Sequence, residues 1–439
     1  MAGGRLVCGA PEERAVSLST DSRSLTQGQV FWVLKGARFD GHDFLTTELA
    51  AKSSCWVVEK GRLKTGPRPP HLIEVSDTLR ALQTLAARHR RRFEIPVAGI
   101  TGSNGKTTTK EMLRAICLRV GASCASEGNL NNQVGLPLSV LELTAQHRYG
   151  VFEMGASRPG DIAELGAVAQ PTVGVLLNIG PAHLEFFGSL EATFKAKCEL
   201  IAATASDGKV VFNSDDPWLA PLEARLGARA VPFGAGPRAL VRVVPPDGLV
   251  IDRRKVRVRL SSFGIVNLHN AAAAAAAAWA MGIDTPAIVA GLADHRPARM
   301  RLERLRLASG CELVLDAYNA NPASMKASVS AFCSEFAEGE KVLVLGDMKE
   351  LGPESGRLHS ELGIWLSSLP LSAVYLAGPE MAHAFRALAG AGVPFRVRHA
   401  AEPASWLEEL KSDLKPGSAV LLKASRAMRF EEISERLRP

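Results

Sequence analysis

Gly99-Ile100-Thr101-Gly102-Ser103-Asn104-Gly105-Lys106-Thr107-Thr108-Thr109 decides how the rest of the chain is read. Before it stands Phe93-Glu94-Ile95-Pro96-Val97-Ala98, an apolar run that predicts a short buried strand. After it comes Lys110-Glu111-Met112-Leu113-Arg114-Ala115-Ile116, whose apolar spacing is helical. Strand, Gly-rich turn and helix together make a phosphate cradle. Glycines let backbone N–H groups approach anionic oxygens, and the helix N-terminus adds partial positive charge. Thr101, Gly102, Ser103, Asn104, Gly105, Lys106, Thr107 and Thr108 are the candidates to surround a nucleotide's phosphates. Lys106 would reach the outer phosphates, and the Thr107 hydroxyl would sit on Mg²⁺. The general pattern G-x-x-x-x-G-K-[ST] has a first glycine where this chain has Ile100, with Gly99 one step early. A turn that merely joins strand to helix is the competing reading; the order of strand, loop, Lys-Thr and helix favours the cradle.

Composition bounds what surrounds this loop. A length of 439 residues suggests roughly three domains, and 46% hydrophobic with 22% charged residues is ordinary for a globular protein. The net charge of +7 suits an anionic small substrate, but no Lys/Arg block is dense enough to argue for nucleic acid. Seven cysteines without C-x-x-C pairs indicate neither zinc nor a disulfide framework. The start Met1-Ala2-Gly3-Gly4-Arg5-Leu6 has no apolar core of signal-peptide length. The Ala-rich run from Ala271 to Ile283 is too short and too weakly apolar to span a bilayer. A cytoplasmic, reduced monomer with no membrane partner is expected.

Three units follow along the chain. Residues 1–92 carry a strand in Val30-Phe31-Trp32-Val33-Leu34-Lys35-Gly36, flanked by polar loops at Thr20–Ser24 and Arg38–Asp43, and end in a helix whose His89-Arg90-Arg91-Arg92 reads as a solvated linker. Residues 93–309 alternate strands and helices, which argues for a mostly parallel sheet with helices on both faces. Strands are expected at Tyr149–Met154, Thr172–Ile179 and Lys209–Asn213, with Glu153, Asn178, His183 and Asp215-Asp216 at or after their ends. Ligands of open α/β sheets sit outside the carboxyl ends of the strands, so Glu153 is placed to hold Mg²⁺; a buried structural carboxylate is the alternative. Short antiparallel strands are expected between 228 and 262, then a helix over Ala271–Ala278 with Asn270 at its start, where Asn is a preferred cap. Residues 310–439 alternate again, with strands at Glu312–Leu315, Lys341–Leu345, Ala373–Leu376 and Ala419–Leu422. This unit is Rossmann-like but lacks G-x-G-x-x-G after its first strand, so no dinucleotide is implied.

The separated motifs resemble the Mur ligases. They are the phosphate loop through Glu111, Asn129-Leu130-Asn131-Asn132-Gln133-Val134-Gly135-Leu136-Pro137, Glu153-Met154-Gly155-Ala156, Asn178-Ile179-Gly180-Pro181-Ala182-His183-Leu184-Glu185 and Ala196-Lys197-Cys198-Glu199-Leu200. Asp316-Ala317-Tyr318-Asn319-Ala320-Asn321-Pro322-Ala323-Ser324-Met325 and Gly346-Asp347-Met348-Lys349-Glu350-Leu351-Gly352 complete the set. The resemblance implies an ATP-dependent amide ligase of three α/β domains, its nearest branch adding D-alanyl-D-alanine to a UDP-muramoyl tripeptide through an acyl phosphate. It implies one Mg²⁺ on Thr107 and Glu153 and a second on His183 and a carbamylated Lys197; without the resemblance, Lys197 reads as a helix-surface lysine. It further implies Lys106, Lys197, His183 and Glu153 as the catalytic set, Asn270 at the adenine, Arg299 at the ATP phosphates and Asp316 toward the ribose. Ser22, Arg23 and the loop from Lys35 to His42 would meet the UDP end, with Asn131, Asn132, Tyr318 and Asn319 along the substrate path.

Two departures from the family pattern stand out. Ala298 precedes Arg299 where a glycine is usual, leaving Arg296 and Arg301 as competitors, and Lys-Gly-Ser-Arg appears as Lys423-Ala424-Ser425-Arg426. Rival readings are the branch that adds the third amino acid, whose Asp-Asn-Pro-Arg motif is replaced here by Tyr318–Pro322, and folate polyglutamylation. From another class, a P-loop binding module or nucleotide switch is disfavoured by the absence of an Asn-Lys-x-Asp tetrad.

Overall fold

A computed structural model describes residues 3–438 apart from 11–16, 37–38, 64 and 182–183. Three sheets follow one another along the chain. The first has five strands in the order Arg5–Cys8, His71–Val75, Ser53–Glu59, Gln29–Trp32, Leu18–Ser19, parallel except for the first pair. The Val30–Gly36 strand expected there stops at Trp32. The chain then bends, and Lys35 bridges back to Asp40.

The second sheet has nine strands and holds Val97–Thr101 between Val173–Leu176 and Tyr149–Glu153, all parallel. Lys209–Asn213, Ala230–Gly234 and Val241–Val244 extend it in parallel. Gly248–Ile251 and Arg254–Arg257 then turn antiparallel at its edge. The strand before the phosphate loop thus begins at Val97, not Phe93. Pro96 has no N–H to give a ladder, and the Phe93 and Ile95 carbonyls are taken by the Arg90 guanidinium. Arg90 is buried, corrects the solvated-linker reading, and ties the helix Thr78–Arg90 to the second unit through the carbonyls of Ala169 (2.9 Å) and Gln170 (3.4 Å).

The helix Lys106–Leu118 packs on this sheet beside the helix Ile265–Ala280, which covers its strands from Val173–Leu176 to Gly248–Ile251 and whose Ala271–Ala278 are all fully buried. Methyl side chains let the two helices and the sheet approach closely enough to close the core. Gly291 on the neighbouring helix Thr285–Asp294 permits a third close approach, since a Cβ there would meet the Ile116 backbone at 2.3 Å. The Ala-rich helix begins five residues before Asn270, with Gly264 at its N-cap, so Asn270 is not a cap.

The third sheet runs Glu303–Arg306, Glu312–Leu315, Ala419–Lys423, Lys341–Gly346, Ala373–Ala377, Arg396–Ala400, parallel after its first antiparallel pair. Residues 303–306, counted with the second unit on sequence, hydrogen-bond into this third sheet, and Arg396–Ala400 is a further strand that sequence missed. Among the described residues no helix is long and apolar enough to cross a membrane.

Candidate functional site

The phosphate loop leaves the carboxyl end of Val97–Thr101 and turns into its helix through Gly105, whose φ of 84° is the left-handed geometry glycine tolerates. A Cβ on Gly105 would fall 2.4 Å from Asn270 Oδ1, so the glycine also lets that amide lie against the loop. Asn178 fixes the turn from the next strand: its Oδ1 accepts from Asn104 N (2.9 Å) and its Nδ2 donates to Asn104 O (3.1 Å). Ser103 Oγ donates to Gly180 O and accepts from Gly180 N. The loop is therefore preorganised against one neighbouring segment, by the Asn178 side chain and the Gly180 backbone. Thr101 is buried beneath it with an unpartnered hydroxyl, and Gly102 offers its carbonyl to Lys106 Nζ at 2.8 Å.

A cavity of about 560 Å³ opens over this loop. The second unit contributes Ser103–Thr108, the asparagine loop with Asn129, Asn131 and Asn132, then Glu153, Lys197 and Asn270. The third contributes Asp316, Tyr318, Asn319 and Lys423. At its centre the Thr107 hydroxyl donates to Glu153 Oε2 at 2.7 Å, while Asn131 Nδ2 donates to Glu153 Oε1 at 2.7 Å. Glu153 is 2% exposed, so its two oxygens are oriented by these partners rather than by water.

Cations converge on this pair. Burial pushes the Lys106 amine down, Glu153 pulls it back and Arg301 adds to the fall. Lys197 is buried, and burial followed by repulsion from Lys106 brings its amine down to about 7. It is therefore not a surface lysine. Burial and the neighbouring charge thus favour its uncharged, nucleophilic form.

Arg301 donates through Nη2 to Thr107 Oγ1 at 2.9 Å and stacks on the Tyr318 ring at 4.2 Å. Arg299, the sequence choice, is exposed and does not line the cavity. Met300 and Leu302 both have positive φ, and this kinked backbone turns Arg301 inward and Arg299 outward. Asp316 accepts from the buried Lys423 ammonium at 2.7 Å and from Ser328 Oγ, so the Ala424 variation leaves that lysine on the site.

Ser22, Arg23 and Lys35 lie in the first unit, outside the cavity lining; Arg23 is paired with Asp21, whose carboxyl its guanidinium lowers to about 2. Asp216 supports a turn instead of facing the cavity, accepting from the backbone N–H groups of Ile179 and Trp218. His183 and Arg38 lie outside the described residues. Sequence reasoning missed Asn267 and Gln133, which also line the cavity. It missed as well the contact of Asn321 Nδ2 with Asn104 Oδ1 at 2.8 Å, which crosses from the third unit to the phosphate loop. The only available signal for that contact was the Asn-Pro of a helix start.

The donor set fits Mg²⁺. Among the described residues no group of three His, Cys, Asp or Glu side chains could hold a metal alone. A hydroxyl and a carboxylate beside a phosphate loop are hard oxygen donors of the kind Mg²⁺ takes in small number, with phosphates and water completing the shell.

Comparison with known proteins agrees with this geometry. Residues 100–278 match the family description "Mur ligase middle domain", and residues 300–426 match "Mur ligase, glutamate ligase domain". The UDP-N-acetylmuramoyl-tripeptide–D-alanyl-D-alanine ligase of Bacillus subtilis is 35% identical over 425 residues, covering 95% of this chain and 92% of that one. The crystal structure of MurF from Acinetobacter baumannii superposes with a TM-score of 0.87 at 32% identity, covering 97% of this chain and 94% of that one. The MurF ligase of Thermotoga maritima, solved in complex with ADP, gives 0.84 at 32% identity, covering 96% and 97%.

Proposed function

This chain belongs to the Mur ligase family, and we propose that it joins D-alanyl-D-alanine to UDP-N-acetylmuramoyl-tripeptide while converting ATP to ADP and phosphate. In the proposed reaction the terminal carboxylate of the tripeptide attacks the γ-phosphorus of ATP, and ADP leaves. The amine of D-alanyl-D-alanine then attacks the acyl phosphate carbon, and the tetrahedral intermediate expels phosphate. The observation that carries this reading is the convergence of Lys106 and Arg301 on the Thr107–Glu153 pair at the phosphate loop.

Two anions must be brought together, so the residues' main task is charge neutralisation and alignment. Backbone N–H groups of Gly102–Thr108 would cradle the phosphates, with Lys106 and Arg301 on the γ-phosphate. Tyr318 places its ring face under the Arg301 guanidinium. Asn270 is taken to meet the adenine and Asp316 the ribose, with Asn131, Asn132 and Asn319 along the muramoyl-peptide path. Ser22, Arg23 and Lys35 are assigned to the UDP end in a first unit that ends near 92, the third beginning near 300.

Thr107 and Glu153 would hold one Mg²⁺, and His183 with a carbamylated Lys197 a second; Mg²⁺ there supplies positive charge to phosphate and carboxylate oxygens. Carbamylation needs the neutral amine, which adds to CO₂ and releases one proton, and burial with repulsion from Lys106 favours that form of Lys197. The enzyme is taken to work as a cytoplasmic monomer.

The test is phosphate release with Mg²⁺, ATP, UDP-muramoyl-tripeptide and D-alanyl-D-alanine, omitting each in turn. Release that needs all of them, with the pentapeptide product found by mass, is expected. Release with a UDP-dipeptide and a single amino acid would instead assign the branch that adds the third residue.

A further inference from the structure

Lys110 stands one turn after Thr107 on the helix Lys106–Leu118, fully buried, and takes no part in the phosphate chemistry above. Its ammonium donates to the carbonyls of Ser126 at 2.5 Å and Gly128 at 3.3 Å and pairs with the Glu111 carboxylate at 2.9 Å. An ammonium has three protons, and three acceptors meet it here. A buried lysine is tolerable only when so satisfied, whereas methionine would fill the volume without that demand.

What Lys110 holds is the root of the asparagine loop. Residues 127–130 are exposed, and backbone bonds within the loop run locally, from Leu130 N to Glu127 O and from Asn131 N to Asn129 O. Beyond the root the loop carries Asn129, Asn131 and Asn132 to the cavity. Ser126 Oγ accepts from Glu153 N at 3.2 Å, Gly155 N donates to Asn131 O at 2.8 Å, and Asn131 orients Glu153. One helix thus carries the residue that reaches ATP and the residue that anchors the opposite wall.

We propose that Lys110 is a positioning residue for the UDP-muramoyl peptide, holding the 126–132 loop at a fixed distance from the phosphate loop. The proposal rests on the function assigned above. Lys110→Met keeps the apolar stem and removes the donors. The expected result is a KM for UDP-muramoyl-tripeptide raised roughly tenfold or more, with a smaller rise in the KM for ATP, which the loop reaches only through Glu153. Amide exchange is expected to quicken at 126–132 and not at 107–118. A merely structural loss would lower kcat by reducing the active fraction and leave both KM values unchanged. That result, or an equal rise in both, overturns the proposal. Where Lys110→Met does not fold, Lys110→Met/Glu111→Gln removes both charges of the pair and is measured in the same way. Wild-type protein that releases no phosphate with the tripeptide and dipeptide overturns the functional reading, and with it the loop's assignment to that substrate. Wild-type activity with no KM split overturns only the role of Lys110, as does exchange at 126–132 that Lys110→Met leaves unchanged.

Discussion

Arg299 and Arg301 are two residues apart, yet only the second guanidinium reaches the Thr107 hydroxyl and the Tyr318 ring. Side chains two apart in an extended segment share a face, but the positive φ of Met300 breaks that alternation here. A guanidinium aimed at developing phosphate charge is worth roughly 100- to 1,000-fold in kcat when a comparable oxyanion donor is removed. Arg301→Ala should therefore cut kcat/KM for ATP by about that factor, whereas Arg299→Ala should leave it within about twofold. Phosphate-release kinetics with ATP varied decides between them. Equal losses would mean that the resting geometry at residues 299–301 is not the working one.

Two buried side chains hold whole elements in place. Arg90 closes the last turn of Thr78–Arg90 onto carbonyls of Phe93, Ile95, Ala169 and Gln170. Removing it by Arg90→Ala strands those acceptors and should cost roughly 2–4 kcal/mol, read as a lower urea midpoint with unchanged slope. His359, buried in the helix Ser355–Leu366, accepts the Met348 N–H at Nε2 (3.1 Å) and lies 2.8 Å from Ser355 O at Nδ1. Burial holds its imidazole below the ordinary value of 6.5, and protonation of Nε2 would end the Met348 bond. Between the depressed folded value and 6.5 the unfolded chain binds more protons, so stability falls as pH drops through that window and levels off below it. A urea midpoint that declines from neutral pH toward pH ~5, with a shallower decline in His359→Gln, is expected. His295, also buried and lowered, keeps its own share of the slope.

At the scale of the molecule, the second and third units meet across the phosphate loop through Asn321 to Asn104 and Arg301 to Thr107. Asn321 has two tasks: its Oδ1 caps the helix Pro322–Glu335 by accepting from Ser324 N at 2.9 Å, while its Nδ2 crosses to the loop. Asn321→Asp keeps the cap but turns a donor into an anionic acceptor facing Asn104 Oδ1. One neutral hydrogen bond is worth about 1 kcal/mol, so the ratio of molecules with the two units in contact here to molecules with them parted should fall roughly fivefold. Small-angle scattering of the nucleotide-free variant should show a larger radius of gyration while thermal stability is nearly unchanged. An unchanged radius would mean that other contacts hold the units together.

Much of this molecule was legible in residue order. The phosphate loop announces itself because glycines, a lysine and a threonine must stand next to one another in the chain to wrap a phosphate. The alternation of strands and helices shows in apolar periods, and the strand Lys209–Asn213 lies where that period puts it. The place of Glu153 at the cavity was legible because strand ends beside such a loop face the same opening by topology. What lay beyond sequence depends on contacts between residues far apart in the chain. The buried state of Lys197 and Arg90, the partner that orients Glu153, the inward turn of Arg301 and the bridge from Asn321 to Asn104 are of this kind. Chain order determined which chemical groups are present and which local shapes they take. Only tertiary packing decided which charges lose their water and which side chains meet, because desolvation and hydrogen-bond partnership are properties of the folded surroundings.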